Sequence, residues 1–215
     1  MSFIEINDSF GFSFESLTIF ILMIFIVWII FLIYSLKIYG IKKTFRYFFP
    51  IIVIGIIAEI LAMANSGYYY PGYFIYISAL SVSVPVIIAI GWSVNLFLFL
   101  HIGKDVATRI YKKRNFKQLF FISVFAGLFG VSFDLLEDPL AHYSNWWVWN
   151  QSIQRMYIFE VPLVNYLGWF GIIGGMTLLT LLIDRSSYSE NRKLLINITT
   201  PFICFIFVGT YFLLI

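Results

Sequence analysis

The chain is poor in the residues that cross-link proteins or hold metals. Its one cysteine, Cys204, lies inside an apolar run, which excludes an internal disulfide and a cysteine-built metal site. Its two histidines, His101 and His142, are far apart and lack HxxxH spacing, so no metal site is assigned; only carboxylates would remain as ligands, for an ion such as Mg²⁺. Charge is scarce too. Only 12% of residues are Asp, Glu, Lys or Arg, and the net charge is +3, a balance that gives no reason to expect a nucleic acid partner.

Apolar residues are what the chain has in excess: 61% of it, with a mean hydropathy of +0.91. They come in runs such as Leu17 to Leu36 and Leu194 to Ile215. About 20 apolar residues in a helix cross ~30 Å of hydrocarbon. The expected fold is therefore an all-α polytopic membrane protein, with residues 1–215 forming a single transmembrane domain. Six spans are expected: Leu17 to Leu36, Phe48 to Asn65, Val82 to Ile102, Gln118 to Leu136, Val161 to Ile183 and Leu194 to Ile215. Pro50 and Pro85 fall near helix starts, where the missing N–H costs little. Ser16 is a candidate cap for the first span. The first and last spans carry almost no polar side chain and are expected at the periphery. Met1 to Glu15 has no basic stretch of the secretory kind, so it is expected to be retained.

The loops are asymmetric. Those after spans one, three and five carry 13 of the 14 Lys and Arg residues, and the opposite side has only Arg155. The positive-inside rule then makes the basic loops cytoplasmic. Both termini and the two aromatic loops, Ser66 to Tyr76 and Glu137 to Glu160, are expected outside the cell membrane.

An internal repeat is visible. VPVIIAIGW (Val84 to Trp92) and VPLVNYLGW (Val161 to Trp169) share Val-Pro and Gly-Trp at the same spacing. Each follows an aromatic loop, and each loop follows a helix with an interior acid, Glu59 or Asp134. Repeat units of about 48–102 and 118–183, running in the same sense, would be related by an axis along the membrane normal. The bland alternative is that Val-Pro and Gly-Trp are common at membrane helix starts.

Phe133 to Phe170 is the denser copy, with Asp134, Glu137, Asp138 and Glu160 among Trp146, Trp147 and Trp149. Asp134 falls ~24 Å and Glu59 ~17 Å from the cytoplasmic edge at 1.5 Å per residue. A carboxylate at that depth costs on the order of 2.5–3.5 kcal/mol, so it faces the bundle or a wet cavity and is a functional candidate by default. Small-residue stripes agree: Gly55, Glu59, Ala62 and Ser66; Gly127, Gly130, Asp134 and then Glu137 or Asp138; Gly168, Gly171 and Gly174 point spans two to five at one another. Two acids close together and out of water would keep one proton between them and serve as a general acid. The rings of Tyr68, Tyr69, Tyr70, Trp92, Trp146, Trp147, Trp149 and Trp169 offer π faces that stabilise a cation. Asn95 and Asn165 are candidates to hold water. Acid plus aromatic walls suits protonation of an alkene and protection of the carbocation formed.

Duller readings stand beside these. Tyr68 to Tyr70, Trp146 and Trp147 also fit an interfacial belt. Asp138-Pro139 also fits a turn, and Glu137 and Glu160 also fit solvated surface positions, with Arg155 as a partner for one of them. His142 reads as incidental and His101 as interfacial.

The chain also resembles the carotenoid biosynthesis membrane proteins that include bisanhydrobacterioruberin hydratase and the CruF-type carotenoid hydratases. The resemblance rests on Glu59, Ser66-Gly67, Val84-Pro85 to Trp92, Asp134 to Asp138-Pro139, Trp147-x-Trp149, and Pro162 to Asn165 to Gly168-Trp169-Phe170, about half the chain. The chain departs from it at Glu160 and Ala62, which stand where the family has glycine, and in a link after Gly67 that is about one residue longer. The resemblance implies addition of water to a terminal trisubstituted double bond of a long polyene or other isoprenoid drawn from the bilayer, with no cofactor. Asp134 or Glu59 would then be the proton donor, and Asp138 or its partner acid would position water. Two alternatives remain: a lycopene-type cyclase that begins with the same protonation, and a non-enzymatic proton-coupled transporter or lipid-binding membrane protein.

Overall fold

The computed structural model describes residues 14–64, 67–73, 75–113, 115–150 and 156–199. In chain order it contains α1 (Phe14–Ala64), β1 (Tyr68–Tyr69), β2 (Tyr76–Ala79), β3 (Val82–Pro85), α2 (Val86–Ile110), α3 (Phe116–Tyr143), β4 (Val148–Trp149), β5 (Tyr157–Ile158), β6 (Val161–Pro162) and α4 (Leu163–Arg185). Residues 190–199 are also helical. Among the described residues, four helices are long and apolar enough to cross a membrane.

The first of the four is doubled. A straight helix of 51 residues would reach ~76 Å, more than twice the hydrocarbon core. Instead α1 reverses at Gly40, whose φ of 74° and ψ of 171° leave helical space and suit a residue without Cβ. The two arms then lie side by side. The Ser35 and Thr44 hydroxyls are 2.9 Å apart, and Phe31 and Phe48, one from each arm, both pack on Phe97 of α2. The expected first and second spans correspond to these arms. The expected periphery of the first arm holds only in part: Ile19, Leu22, Ile26 and Ile30 are exposed, but Leu17 is fully buried and Phe20 packs on the core. Most of the expected sixth span, Leu194 to Ile215, lies outside the described residues.

Helix α2 packs between α1 and α3, and α3 packs along α4. The α3–α4 seam uses the expected small residues only in part: Gly127, Gly130 and Gly174 lie in it, but a Cβ on Gly168 or Gly171 would meet nothing within 4 Å. A Cβ on Gly127 would meet Phe170, one on Gly130 would meet Ile173, and the Ser123 hydroxyl donates to the Gly174 carbonyl at 2.7 Å. The α2–α3 crossing is tighter still. A Cβ on Gly103 would lie 2.7 Å from the Ile122 carbonyl oxygen and 2.9 Å from the Ala126 nitrogen, backbone atoms that cannot swing aside. Gly103→Val is therefore expected to cost about 3 kcal/mol by overpacking, read as a fall in the thermal unfolding midpoint in detergent. Gly171→Ala, where a Cβ meets nothing within 4 Å, serves as the comparison and should leave the midpoint unchanged or raised.

The two ends of the bundle differ. At the basic end, the buried Arg46 guanidinium pairs with Asp184 and lies 3.3 Å from Glu190, while the Tyr47 hydroxyl donates to Asp184 at 2.7 Å. These bonds tie the turn of α1 to the end of α4. At the aromatic end are three short two-stranded sheets, all antiparallel. Two are hairpins leading into helices. In β2–β3, Tyr76 pairs with Pro85 around Leu80 and Ser81; in β5–β6, Tyr157 pairs with Pro162 around Phe159 and Glu160. All four turn residues have positive φ, 50° to 65°, the backbone of a primed hairpin turn that favours Asn-Gly. Glu160 thus occupies a left-handed position, which explains why a glycine would fit there. Pro85 and Pro162 then start α2 and α4 with nearly the same backbone angles.

Several expected boundaries change: the second arm of α1 is helical directly after Gly40, and α2 runs on to Ile110. The third and fifth spans begin at Val86 and Leu163, because Val-Pro ends a strand rather than opening the helix. The fourth continues past Asp138-Pro139 to Tyr143. Pro139 removes one hydrogen bond of the helix but does not end it, so Glu137 and Asp138 are helical rather than loop residues.

Candidate active site

Between the four helices and the β1–β4 pair lies a cavity of about 570 Å³. Nine of the ten residues expected at the site line it: Glu59, Tyr70, Trp92, Asn95, Asp138, Trp147, Trp149, Asn165 and Trp169. Trp92 of α2 and Trp169 of α4 stack with ring centroids 4.3 Å apart. Tyr68 packs on Trp149 at 4.6 Å, held there by the β1–β4 pairing of the two loops. The three loop tryptophans are buried, so the belt reading fails for Trp146 and Trp147; it survives for the exposed Tyr69.

Glu59 comes from the second arm of α1 and is buried. Three donors converge on it. The Tyr68 hydroxyl donates to Oε2, the Tyr70 hydroxyl to Oε2 at 2.6 Å, and the Trp92 indole N–H to Oε1 at 2.8 Å. Burial first, and then the Glu59 carboxyl, push the Tyr68 and Tyr70 hydroxyls well above the ordinary tyrosine range. Both remain O–H donors at any physiological pH.

Asp134 is the tenth expected residue, and it stands behind the wall rather than on it. It is fully buried, and its Oδ1 has no hydrogen-bond partner among the described residues. The Asn165 amide of α4 donates to Asp134 Oδ2 at 2.8 Å and also to Asp138 Oδ2. Because one Asn165 nitrogen bonds an oxygen of each, the carboxyls of Asp134 and Asp138 lie next to each other. They are one helical turn apart on α3, the i, i+4 spacing that stacks side chains on one face. The expected pairing of Asp134 with Glu59 is thus replaced by a pairing with Asp138, and Asp138 is the member that reaches the cavity.

Glu137 and Tyr68, named in the sequence with a duller reading beside each, also line the cavity, as do Phe20 and Ile24, which sequence reasoning passed over. Glu137 had a usable signal, since it lies three residues after Asp134 on the same helical face. Phe20 and Ile24 had none, being apolar residues in an apolar run. Outside this cavity, His101 is held between the Phe97 carbonyl and the Tyr39 hydroxyl, at 2.7 and 2.8 Å. His142 lies at the aromatic end, with Nδ1 3.4 Å from the Trp149 backbone nitrogen. Among the described residues no group of three His, Cys, Asp or Glu is placed to hold a metal ion.

Gly168 marks open space in this wall. It lines the cavity, and a Cβ there would meet no atom within 4 Å. Gly168→Phe should fold normally and fill the cavity, so it is expected to lower turnover of a long apolar substrate about tenfold, seen as product yield per unit of folded protein.

The fold and site together define an all-helical membrane protein with buried carboxyls on an aromatic-walled cavity. The family model described as carotenoid biosynthesis protein matches residues 18–215. The chain belongs to that family, and membership supports an enzymatic role in carotenoid biosynthesis. No curated protein and no solved structure matches the chain.

Proposed function

We propose that the protein is a carotenoid hydratase, adding water across a terminal trisubstituted double bond of a long polyene taken from the bilayer. The observation that carries this is the placing of Asp138 and Glu59 on one apolar, aromatic-walled cavity, with Asp134 held behind Asp138 by Asn165. Two carboxyls this close share a proton, because both cannot ionise side by side out of water. Asp138 gives that proton to the alkene carbon bearing hydrogen. The other carbon becomes a tertiary carbocation, faced by the rings of Trp92, Trp169, Trp147 and Trp149. A water bound by Asn165 or Asn95 then forms the C–O bond and releases a proton, leaving a tertiary alcohol and a reprotonated acid. Glu59, with donors on both oxygens, is the fixed negative charge opposite the cation. The chemistry needs no cofactor.

The arrangement in the membrane is part of the same reading. Six spans, counting the arms of α1 separately and a last span from the 190–199 helix onward, put the basic end in the cytoplasm and the aromatic end outside. The matched hairpins, the helix-starting prolines and the Trp92–Trp169 stack support a two-fold relation between the two halves. The test is expression in a host that makes lycopene and related polyenes, with mass analysis of the pigments. A product heavier by one water is expected. A cyclic product of unchanged mass would establish the cyclase instead. Unaltered pigments, with uptake of a solute that depends on Glu59, would establish a transporter.

A further inference from the structure

Water addition needs a base as well as an acid, and the two halves of the site are unequal in this respect. Three residues after Glu59 the cavity wall carries Ala62; three residues after Asp134 it carries Glu137. The remaining acids are engaged. Glu59 accepts from three donors, and Asp134 and Asp138 share the Asn165 amide. Glu137 lines the same cavity, is half-buried, and receives no hydrogen bond from the described residues. Its oxygens are therefore available to a water in the cavity, next in sequence to the acid that protonates the alkene.

Building on the hydratase reading, we propose that Glu137 is the base that takes the proton from the attacking water. Asp138 protonates the alkene and becomes a carboxylate. The water oxygen bonds to the tertiary carbon, and one water proton passes to the Glu137 carboxylate. That proton returns to Asp138 through solvent, and the sum is alkene plus water to alcohol. Without the base the cation still forms, but it can only give its proton back to Asp138.

The test is Glu137→Gln assayed in D₂O, measuring both hydrated product and deuterium in the recovered polyene. The variant should lose hydrated product about 100-fold, the contribution of a positioned base, while deuterium exchange into the polyene stays within about threefold of wild type. Retained exchange also shows that the variant is folded. Glu137→Asp should recover part of the hydration. The proposal is overturned if Glu137→Gln hydrates at nearly the wild-type rate. It is overturned equally if exchange disappears together with hydration, since Glu137 would then act on proton donation or on folding. A wild-type protein that exchanges deuterium but forms no alcohol would overturn the hydratase reading itself, and this role with it.

Discussion

Asp138→Asn is expected to lower hydration about 10³-fold, within the range a positioned general acid contributes. Asparagine keeps the shape of the side chain and can still bond Asn165, so the bundle should assemble and unfold at the wild-type temperature. What it cannot do is give up a proton to carbon. Asp134→Asn should be milder, about tenfold, because Asp134 does not line the cavity and in the proposed mechanism acts through Asp138. Initial rates on a polyene in detergent, normalised to folded protein, give the ratio of the two variants. The opposite order, with Asp134→Asn the more damaging, would move the donor back to Asp134. Hydration within tenfold of wild type in Asp138→Asn would remove Asp138 from the chemistry.

That test matters because the sequence ranked these two acids the other way, and the reason is physical. Residue counts along the helices gave an expected depth, and on that count Asp134 and Glu59 stood out as costly interior charges. Which acid faces the cavity depends on rotation about α3, and that depended on Pro139. Read as part of a turn, Asp138-Pro139 placed Glu137 and Asp138 in a loop. The helix instead runs to Tyr143, because one lost hydrogen bond is tolerable when the rest of the turn is packed. The hairpins were hidden for a related reason. Leu80-Ser81 and Phe159-Glu160 are poor matches to the Asn-Gly that signals a primed turn, although the helices after them share Val-Pro and Gly-Trp at the same spacing. The β1–β4 pairing joins residues about 80 positions apart, and no local pattern announces a contact of that range. Apolar runs fixed the helices well, yet their uniformity hid Gly40 as a point of reversal and Phe20 as part of the cavity wall.

Glu59→Gln separates charge from structure on the other side of the site. Glutamine preserves an acceptor for the Trp92 indole and a polar group beside Tyr68 and Tyr70, so the loop stays attached. It removes the negative charge. A full charge ~4 Å from a cation contributes about 4 kcal/mol at an effective dielectric of 20. At 1.36 kcal/mol for each tenfold, losing most of that slows the reaction about 10²- to 10³-fold. The loss should fall on turnover rather than on substrate binding, because the cation exists only during the reaction. Tyr68→Phe and Tyr70→Phe give the complementary result. Each leaves the carboxylate in place but removes a donor that holds it, so each should cost stability before it costs rate. If Glu59→Gln turns over normally while unfolding at a lower temperature, the charge has no part in the chemistry. Glu59 would then be the anchor of the aromatic loop, and cation stabilisation would rest on the rings of Trp92, Trp169, Trp147 and Trp149.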